Sequence, residues 1–360
     1  MERGAIKASG LAGRIALVVA SVLVSLVVLE VACRLVRGGP GALAHWPNLA
    51  RGRIIQVGDA CSYADDARLG WALPAHCRSP TYNVTDGLRE GPPGAPPAGS
   101  PILVTGSSFA MGDEVADDET WPAYLQGLTG RRVVNAGVSG YALDQTVLRT
   151  EAIAPRLAPG VVIVSFTAGD IWRNELSVAF SREKPYFALV DGRLELRNVP
   201  VAKPARRQLP LPWLARLFGR SMLAREIVER LGLQNGWYYD EVQAMPSGSG
   251  PTISCLLMQR LAGLGMPVVV MAQYGRGVWI DEGAYKAKAM HDIGTVLGCA
   301  RDAGLVPFDL AEALKPAVQA LGLDAIFRAE HQTPEGNRVV AELIQQELVR
   351  RRLLAPNGER

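Results

Sequence analysis

Pro101-Ile102-Leu103-Val104-Thr105-Gly106-Ser107-Ser108-Phe109-Ala110-Met111-Gly112 is the stretch on which the reading of the fold turns. Ile102, Leu103 and Val104 form a short apolar, β-branched-rich run that stops at Gly106, the pattern of a buried parallel strand entering a tight turn. Two serines stand in that turn. Gly112 and the acidic pair Asp113-Glu114 follow, and the chain crosses a polar loop before a helix opens near Glu119-Thr120-Trp121-Pro122. Ligands of parallel α/β sheets sit in the loops beyond the carboxyl ends of the strands, so a serine here is placed for chemistry.

Outward from this stretch the chain alternates strand and helix in the manner of a parallel sheet covered on both faces. The pattern predicts strands near 101–105, 132–136, 160–166, 267–273 and 305–309. It predicts helices near 119–129, 143–154, 252–264, 283–303, 310–320 and 334–353. Together these imply a three-layer α/β/α domain with a central parallel sheet over residues 101–354. Residues 174–250 interrupt it with a polar, hairpin-like piece around Asp191-Gly192 and then an amphipathic, basic stretch from Leu209 to Leu223. An ordinary insertion packed on the domain is the simplest reading of that stretch; a membrane-surface segment and a cap over the site are the other two.

The chain ahead of the domain divides further. Ile15 to Cys33 is apolar apart from Ser21, Ser25 and Glu30, and Arg14 and Arg34 bracket it. About 20 apolar residues cross a bilayer, so residues 1–37 read as a single-pass anchor spanning the membrane through residues 14–34. A cleaved signal is the competing reading, but no small-x-small site precedes the charged flank, and Glu30 fills the apolar position a lipoprotein signal needs before Cys33. Basic residues on both sides leave orientation open. Removal of residues 1–37 is then expected to leave a soluble, folded domain. Residues 38–100 form a connector and lead-in: a Gly/Pro-bearing piece to residue 60, short extended pieces broken by turns between Cys61 and Arg89, and a Pro/Gly linker from Gly91 to Ser100. Cys61 and Cys77 read equally as a disulfide in an oxidising compartment or as two free thiols.

The 360 residues are 48% hydrophobic and 20% charged with a net charge of +3, a balance that gives no argument for nucleic acid. The five cysteines include no Cys-x-x-Cys pair, and no metal or cofactor is implied.

Four clusters complete the pattern: Gly106-Ser107-Ser108 with Gly112, Val134-Asn135-Ala136-Gly137 with Gly140, Ala168-Gly169-Asp170 with Asn174, and His331-Gln332-Thr333-Pro334. In this order they resemble the four blocks of the SGNH/GDSL hydrolase family, and Leu69-Gly70-Trp71 to Gly87-Leu88-Arg89 resembles the lead-in of its membrane-anchored bacterial members. The resemblance implies a flavodoxin-like sheet with Ser108 as nucleophile, His331 as base, and backbone N–H groups of Ser108 and Gly140 as the oxyanion hole. Thr333 and Pro334 suit the N-cap and first position of a final helix that fixes the histidine loop. Of the four histidines, His45 and His76 precede the domain, and His291 reads as a bystander on its helix.

Three departures from the family pattern bear on activity. Its first-block aspartate is Ser107 here, its third-block asparagine is Gly169, and its orienting aspartate three before the histidine is Arg328. Asp324 and Glu330 are the nearby carboxylates, and Asp170 and Asn174 match the third block as sources of a supporting hydrogen bond. If Gly169 marks a lost oxyanion donor, Gly169→Asn is expected to raise turnover. The function implied is a serine esterase or acyltransferase acting on acyl or acetyl esters of a glycan or lipid outside the cytoplasm. The alternative is a catalytically weak binding or assembly component of a cell-envelope polysaccharide system.

Overall fold

The computed structural model describes residues 2–43, 61–80, 82–94, 97, 99–202, 212–231, 233, 241–280 and 283–354. The connector from 44 to 60 with His45, parts of the Pro/Gly linker, and residues 203–211 and 234–240 of the insertion lie outside them. Chain contacts divide the protein into two compact units, Met1–Arg53 with Arg206–Asp240, and Ile54–Ala205 with Glu241–Arg360.

The second unit is built on an eight-stranded sheet. Its strands are β1 (His76–Arg78), β2 (Asn83–Thr85), β3 (Leu88–Arg89), β4 (Ile102–Thr105), β5 (Val133–Asn135), β6 (Val161–Phe166), β7 (Val268–Ala272) and β8 (Val306–Asp309), and they lie in the order β8-β7-β6-β4-β5-β3-β2-β1. β8, β7, β6, β4 and β5 run parallel, with Ile102 opposite Val133 on one side and Val161 on the other. These are the five strands the periodicity predicts. The lead-in adds what it does not: β3 pairs antiparallel with β5 through Arg89 and Asn135, and β2 and β1 continue outward as a hairpin. The sheet is therefore mixed, with a parallel centre.

Period-two alternation sorts the strand side chains between two apolar layers. Leu103, Val134, Val162, Val164, Val268 and Val270 face one core. There they meet α4 (Leu143–Leu157), α8 (Gly250–Ala262) and α9 (Ala284–Asp302), after α1 (Glu2–Gly38), α2 (Ser108–Met111), α3 (Trp121–Thr129), α5 (Ala168–Trp172), α6 (Pro212–Phe218) and α7 (Met222–Arg230) are counted in chain order. Ile102, Val104, Val161, Ile163, Val269 and Met271 face the other core, covered by α3, α10 (Leu310–Leu321) and α11 (Pro334–Arg350). Each central strand is buried on both faces, which is why it reads as a continuous apolar run.

The chain passes from β4 to β5 on one side and returns to place β6 on the other, so β4 stands at the topological switch point where doubly wound sheets open a crevice. Ser108 follows β4 directly. Cys61 pairs with Cys77, and Cys255 on α8 pairs with Cys299 on α9. The second bridge joins two helices whose adjacency the sequence does not reveal.

In the first unit, α1 carries the apolar run, and Gly13–Val36 is the one span among the described residues long and apolar enough to cross a membrane. The apolar side chains along its middle are exposed, Leu17, Val18, Leu23 and Val24 all by more than half.

Candidate active site

Ser108 opens the four-residue α2 immediately after the Gly106-Ser107 turn. The following strand end closes on it: Ala136 N donates to Val104 O and Val138 N to Gly106 O, at 2.8 and 3.0 Å. A Cβ on Gly137 would stand 2.4 Å from the Met111 amide nitrogen, so only glycine lets this segment lie against α2. Gly140 lies three residues on, buried, in the left-handed region at φ +77°.

His331 Nε2 stands 2.8 Å from Ser108 Oγ, although 223 positions separate the two residues. The imidazole packs beside the Phe109 ring, centroids 4.8 Å apart. Several groups fix its loop. Phe327 and Gln332 form an antiparallel bridge, Arg328 N donates to His331 O at 2.9 Å, and Thr333 Oγ1 accepts the Gly336 N–H as N-cap of α11, with Pro334 at the first helical position as expected. Gln332 Nε2 donates to Gln273 Oε1, and Gln273 Nε2 to Ser165 Oγ, so a buried polar chain ties the histidine loop to the ends of β7 and β6.

The carboxylate beside the imidazole is Glu114. Its Oε1 lies 3.3 Å from His331 Nδ1, and the residue takes a left-handed backbone at φ +72°. Arg328 supports it, Nη1 donating to the Glu114 carbonyl at 2.7 Å. A basic residue at the position of the family's aspartate thus holds the loop that brings an acid from the serine side. The two other candidates stand elsewhere: Asp324 pairs with Arg276 on the surface, and the Glu330 carboxylate lies against Gly275. His291 is exposed on α9.

Arg89 holds the loop that carries Glu114. Buried to 3% exposure, it donates from Nη1 to the Met111 and Gly112 carbonyls and from Nη2 to Val115 O at 2.6 Å, and its Nε pairs with Asp117 at 2.9 Å. Ser139 donates to Asp113, whose carboxyl burial pushes up while the nearby His331 pulls it down.

The Ser107 hydroxyl donates to Asp170 Oδ2 at 2.8 Å, and the same oxygen accepts the Thr167 N–H at 2.8 Å. The carboxylate missing from the first block is supplied from the third. Burial pushes the Asp170 carboxyl up, opposed by its ion pair with Arg173. Arg173 also donates to the Tyr141 carbonyl at 3.1 Å, which places its guanidinium between Asp170 and the residue after Gly140. A Cβ on Gly169 would meet Arg173 Nη1 at 3.0 Å, so the room above Gly169 holds a guanidinium. The buried Nε of Arg173 has no hydrogen-bond partner among the described residues. Asn174 is spent on structure: Oδ1 accepts the Asp144 N–H at the start of α4, and Nδ2 donates to Ser254.

Glu114, Arg173 and Arg89 are the site residues that sequence reasoning did not single out. The acidic pair after Gly112 and the cation at position 328 were the available signals. Among the described residues no group of three or more His, Cys, Asp or Glu could hold a metal ion.

No protein-family model matches the chain, and no curated protein does. Among solved structures it is similar to TesA, 14% identical with a TM-score of 0.42, covering 71% of this chain and 100% of that one. It is similar to a catalytic mutant of Axe2, an acetylxylan esterase from Geobacillus stearothermophilus, at 13% identity and a TM-score of 0.40, over 70% of this chain and 95% of that one. A member of the lipolytic protein G-D-S-L family from Veillonella parvula matches at 11% identity and a TM-score of 0.39, over 70% and 100% of the two chains.

Proposed function

We propose that the chain is a serine-dependent ester hydrolase or acyl transferase of SGNH/GDSL type, held at a membrane by α1 with its sheet domain outside the cytoplasm. One observation carries the reading: a serine hydroxyl at the switch point of the sheet lies 2.8 Å from an imidazole whose other nitrogen faces a carboxylate. The disulfides Cys61–Cys77 and Cys255–Cys299 support the compartment, because paired thiols persist where the medium is oxidising.

Glu114 accepts from Nδ1–H and holds the tautomer in which Nε2 is free to accept. Ser108 Oγ attacks the ester carbonyl carbon as its proton passes to His331 Nε2, and the carbonyl π pair moves onto oxygen. The tetrahedral oxyanion is met by the backbone N–H groups of Ser108 and Gly140 and by the Arg173 guanidinium, which lies where the Gly169 position leaves room. Collapse expels the alcohol with the proton from Nε2 and leaves an acyl-Ser108. Water or a sugar or lipid hydroxyl then attacks the acyl carbon, giving its proton to the same nitrogen, and Ser108 leaves as the free hydroxyl.

Labelling with a fluorophosphonate tests the reading. The full chain is expected to take up one probe at Ser108, and Ser108→Ala and His331→Ala to abolish uptake. Absence of labelling in folded wild-type protein, or labelling that persists in Ser108→Ala, overturns it.

A further inference from the structure

Glu30 and Arg34 interrupt the apolar run of α1, and both are consumed within the first unit by residues nearly two hundred positions away. Glu30 Oε1 accepts from Arg34 Nε at 2.7 Å and from the Met222 N–H at 2.9 Å; Oε2 accepts from Ser221 Oγ at 2.7 Å and from the Leu223 N–H at 2.9 Å. Arg34, 1% exposed, donates in addition to the carbonyls of Ala42 and Arg220. The carboxylate therefore meets the unpaired amides of the first turn of α7, with Ser221 as N-cap accepting from Ala224 N at 3.0 Å. A carboxylate inside a membrane span is costly unless it is paired, and this one is fully paired.

At 1.5 Å rise per residue, Arg14 and Arg34 stand about 30 Å apart along α1, the thickness of a bilayer's hydrocarbon core. Arg34 then lies at the boundary and Glu30 about 6 Å inside it. Whatever is bonded to them is held at that boundary. The bonds hold the start of α7, and α6 ends only three residues before it; the two helices leave Trp213, Leu217, Phe218 and Ile227 exposed, as Leu231 and Leu233 are just beyond α7, all between 45% and 68%. On α7 the charges pair along the helix, Arg225 with Glu229 and Arg230 with Glu226. Large apolar side chains and a tryptophan at this depth are what an interfacial helix presents to lipid.

We infer that α6 and α7 form an interfacial element that lies in the headgroup boundary of the phospholipid bilayer, latched to the membrane-spanning helix through Glu30 and Arg34. The insertion therefore works as part of the anchor. This inference rests on α1 spanning the bilayer and is independent of the esterase reading.

The test places a nitrobenzoxadiazole fluorophore on Leu217→Cys, Ile227→Cys or Arg225→Cys, the last on the opposite face of α7 from Ile227, each in a Cys33→Ser background. The full chain is carried in nanodiscs of phosphatidylcholine and phosphatidylglycerol, with doxyl-labelled lipid as quencher. Probes at 217 and 227 are expected to emit to the blue and to be quenched several-fold more than the probe at 225. Ser221→Ala and Glu30→Gln are expected to weaken that quenching while circular dichroism and both disulfides stay intact. Should Glu30→Gln fail to fold, Ser221→Ala decides the latch. Equal quenching at all three positions overturns the interfacial element, as does blue emission at 217 and 227 without lipid quenching, the signature of a second protein copy. Quenching unchanged in Ser221→Ala and in any folded Glu30→Gln overturns the latch.

Discussion

A hydroxyl becomes a useful nucleophile when the imidazole beside it keeps one nitrogen free to take a proton, and a carboxylate on the other nitrogen fixes that state. Here the carboxylate is Glu114, at 3.3 Å and 38% exposed, so its hold is looser than that of a buried acid. Glu114→Gln is expected to lower kcat on the order of a hundredfold, at the lower end of what such positioning supplies, with KM little changed. Asp324→Asn and Glu330→Gln should leave steady-state kinetics on a short-chain ester near wild type, and a comparable loss in Glu330→Gln would remove Glu114 from the role. The expectation for Gly169→Asn reverses once the neighbour is seen. An asparagine there sets its Cβ 3.0 Å from Arg173 Nη1, a contact that makes the guanidinium give by a few tenths of an ångström and adds a larger side chain beside it, so the variant should lose activity. Arg173→Lys keeps a cation for the buried Asp170 but loses the planar fork, and is expected to cost on the order of a hundredfold in kcat, the usual loss of one oxyanion donor. A proportionate fall in the second-order rate of fluorophosphonate labelling, with the same final stoichiometry and melting temperature, is the accompanying readout.

Three short antiparallel strands of the lead-in do at the scale of elements what no single residue of the site does: they deliver Arg89 to the serine loop. Arg89 satisfies three carbonyls and pairs with Asp117 from a buried position. Arg89→Met takes the buried cation from Asp117, which keeps only its bonds from Asn83, and the guanidinium donors from the Met111, Gly112 and Val115 carbonyls, and is expected to cost about 3 to 5 kcal/mol, read as a lower melting temperature together with slowed labelling. Normal stability with full labelling would show that the loop holds itself. The five parallel strands were legible because each is a continuous apolar run that ends in a turn, and α11 because Thr333 and Pro334 announce its start. Strands β1 to β3 were legible only as short extended pieces and not as members of the sheet, since His76-Cys77-Arg78, Asn83-Val84-Thr85 and Leu88-Arg89 are mostly polar and hold no apolar run. Ser108 and His331 could be paired through the blocks around them. Glu114 could not, because a residue of unusual backbone in a loop shows its direction only when the loop is folded.

For the molecule as a whole, the boundary that matters most runs through the insertion. The strand and helix pattern separates an anchor from a sheet domain, but it cannot see that residues 206–240 belong with the anchor, because the bonds that join them reach from Glu30 to Ser221 and its neighbours. Removing residues 1–37 alone therefore takes away the helix that Ser221, Met222 and Leu223 bond to, and leaves the exposed Trp213, Leu217, Phe218 and Ile227 with no membrane span to hold them at a bilayer. The sheet unit has its own two cores and needs none of these residues for them. Two variants separate the possibilities: one lacks residues 1–37, and the other lacks residues 1–53 with 206–240 replaced by a Gly-Ser linker. The second is expected to be monomeric by light scattering, absent from sedimented phosphatidylglycerol vesicles and labelled at Ser108 at the wild-type rate. The first is expected to aggregate or to sediment with the vesicles. Equal solubility and equal absence from vesicles in both would return the insertion to the catalytic domain, and loss of labelling confined to the second would mean that the insertion shapes the site.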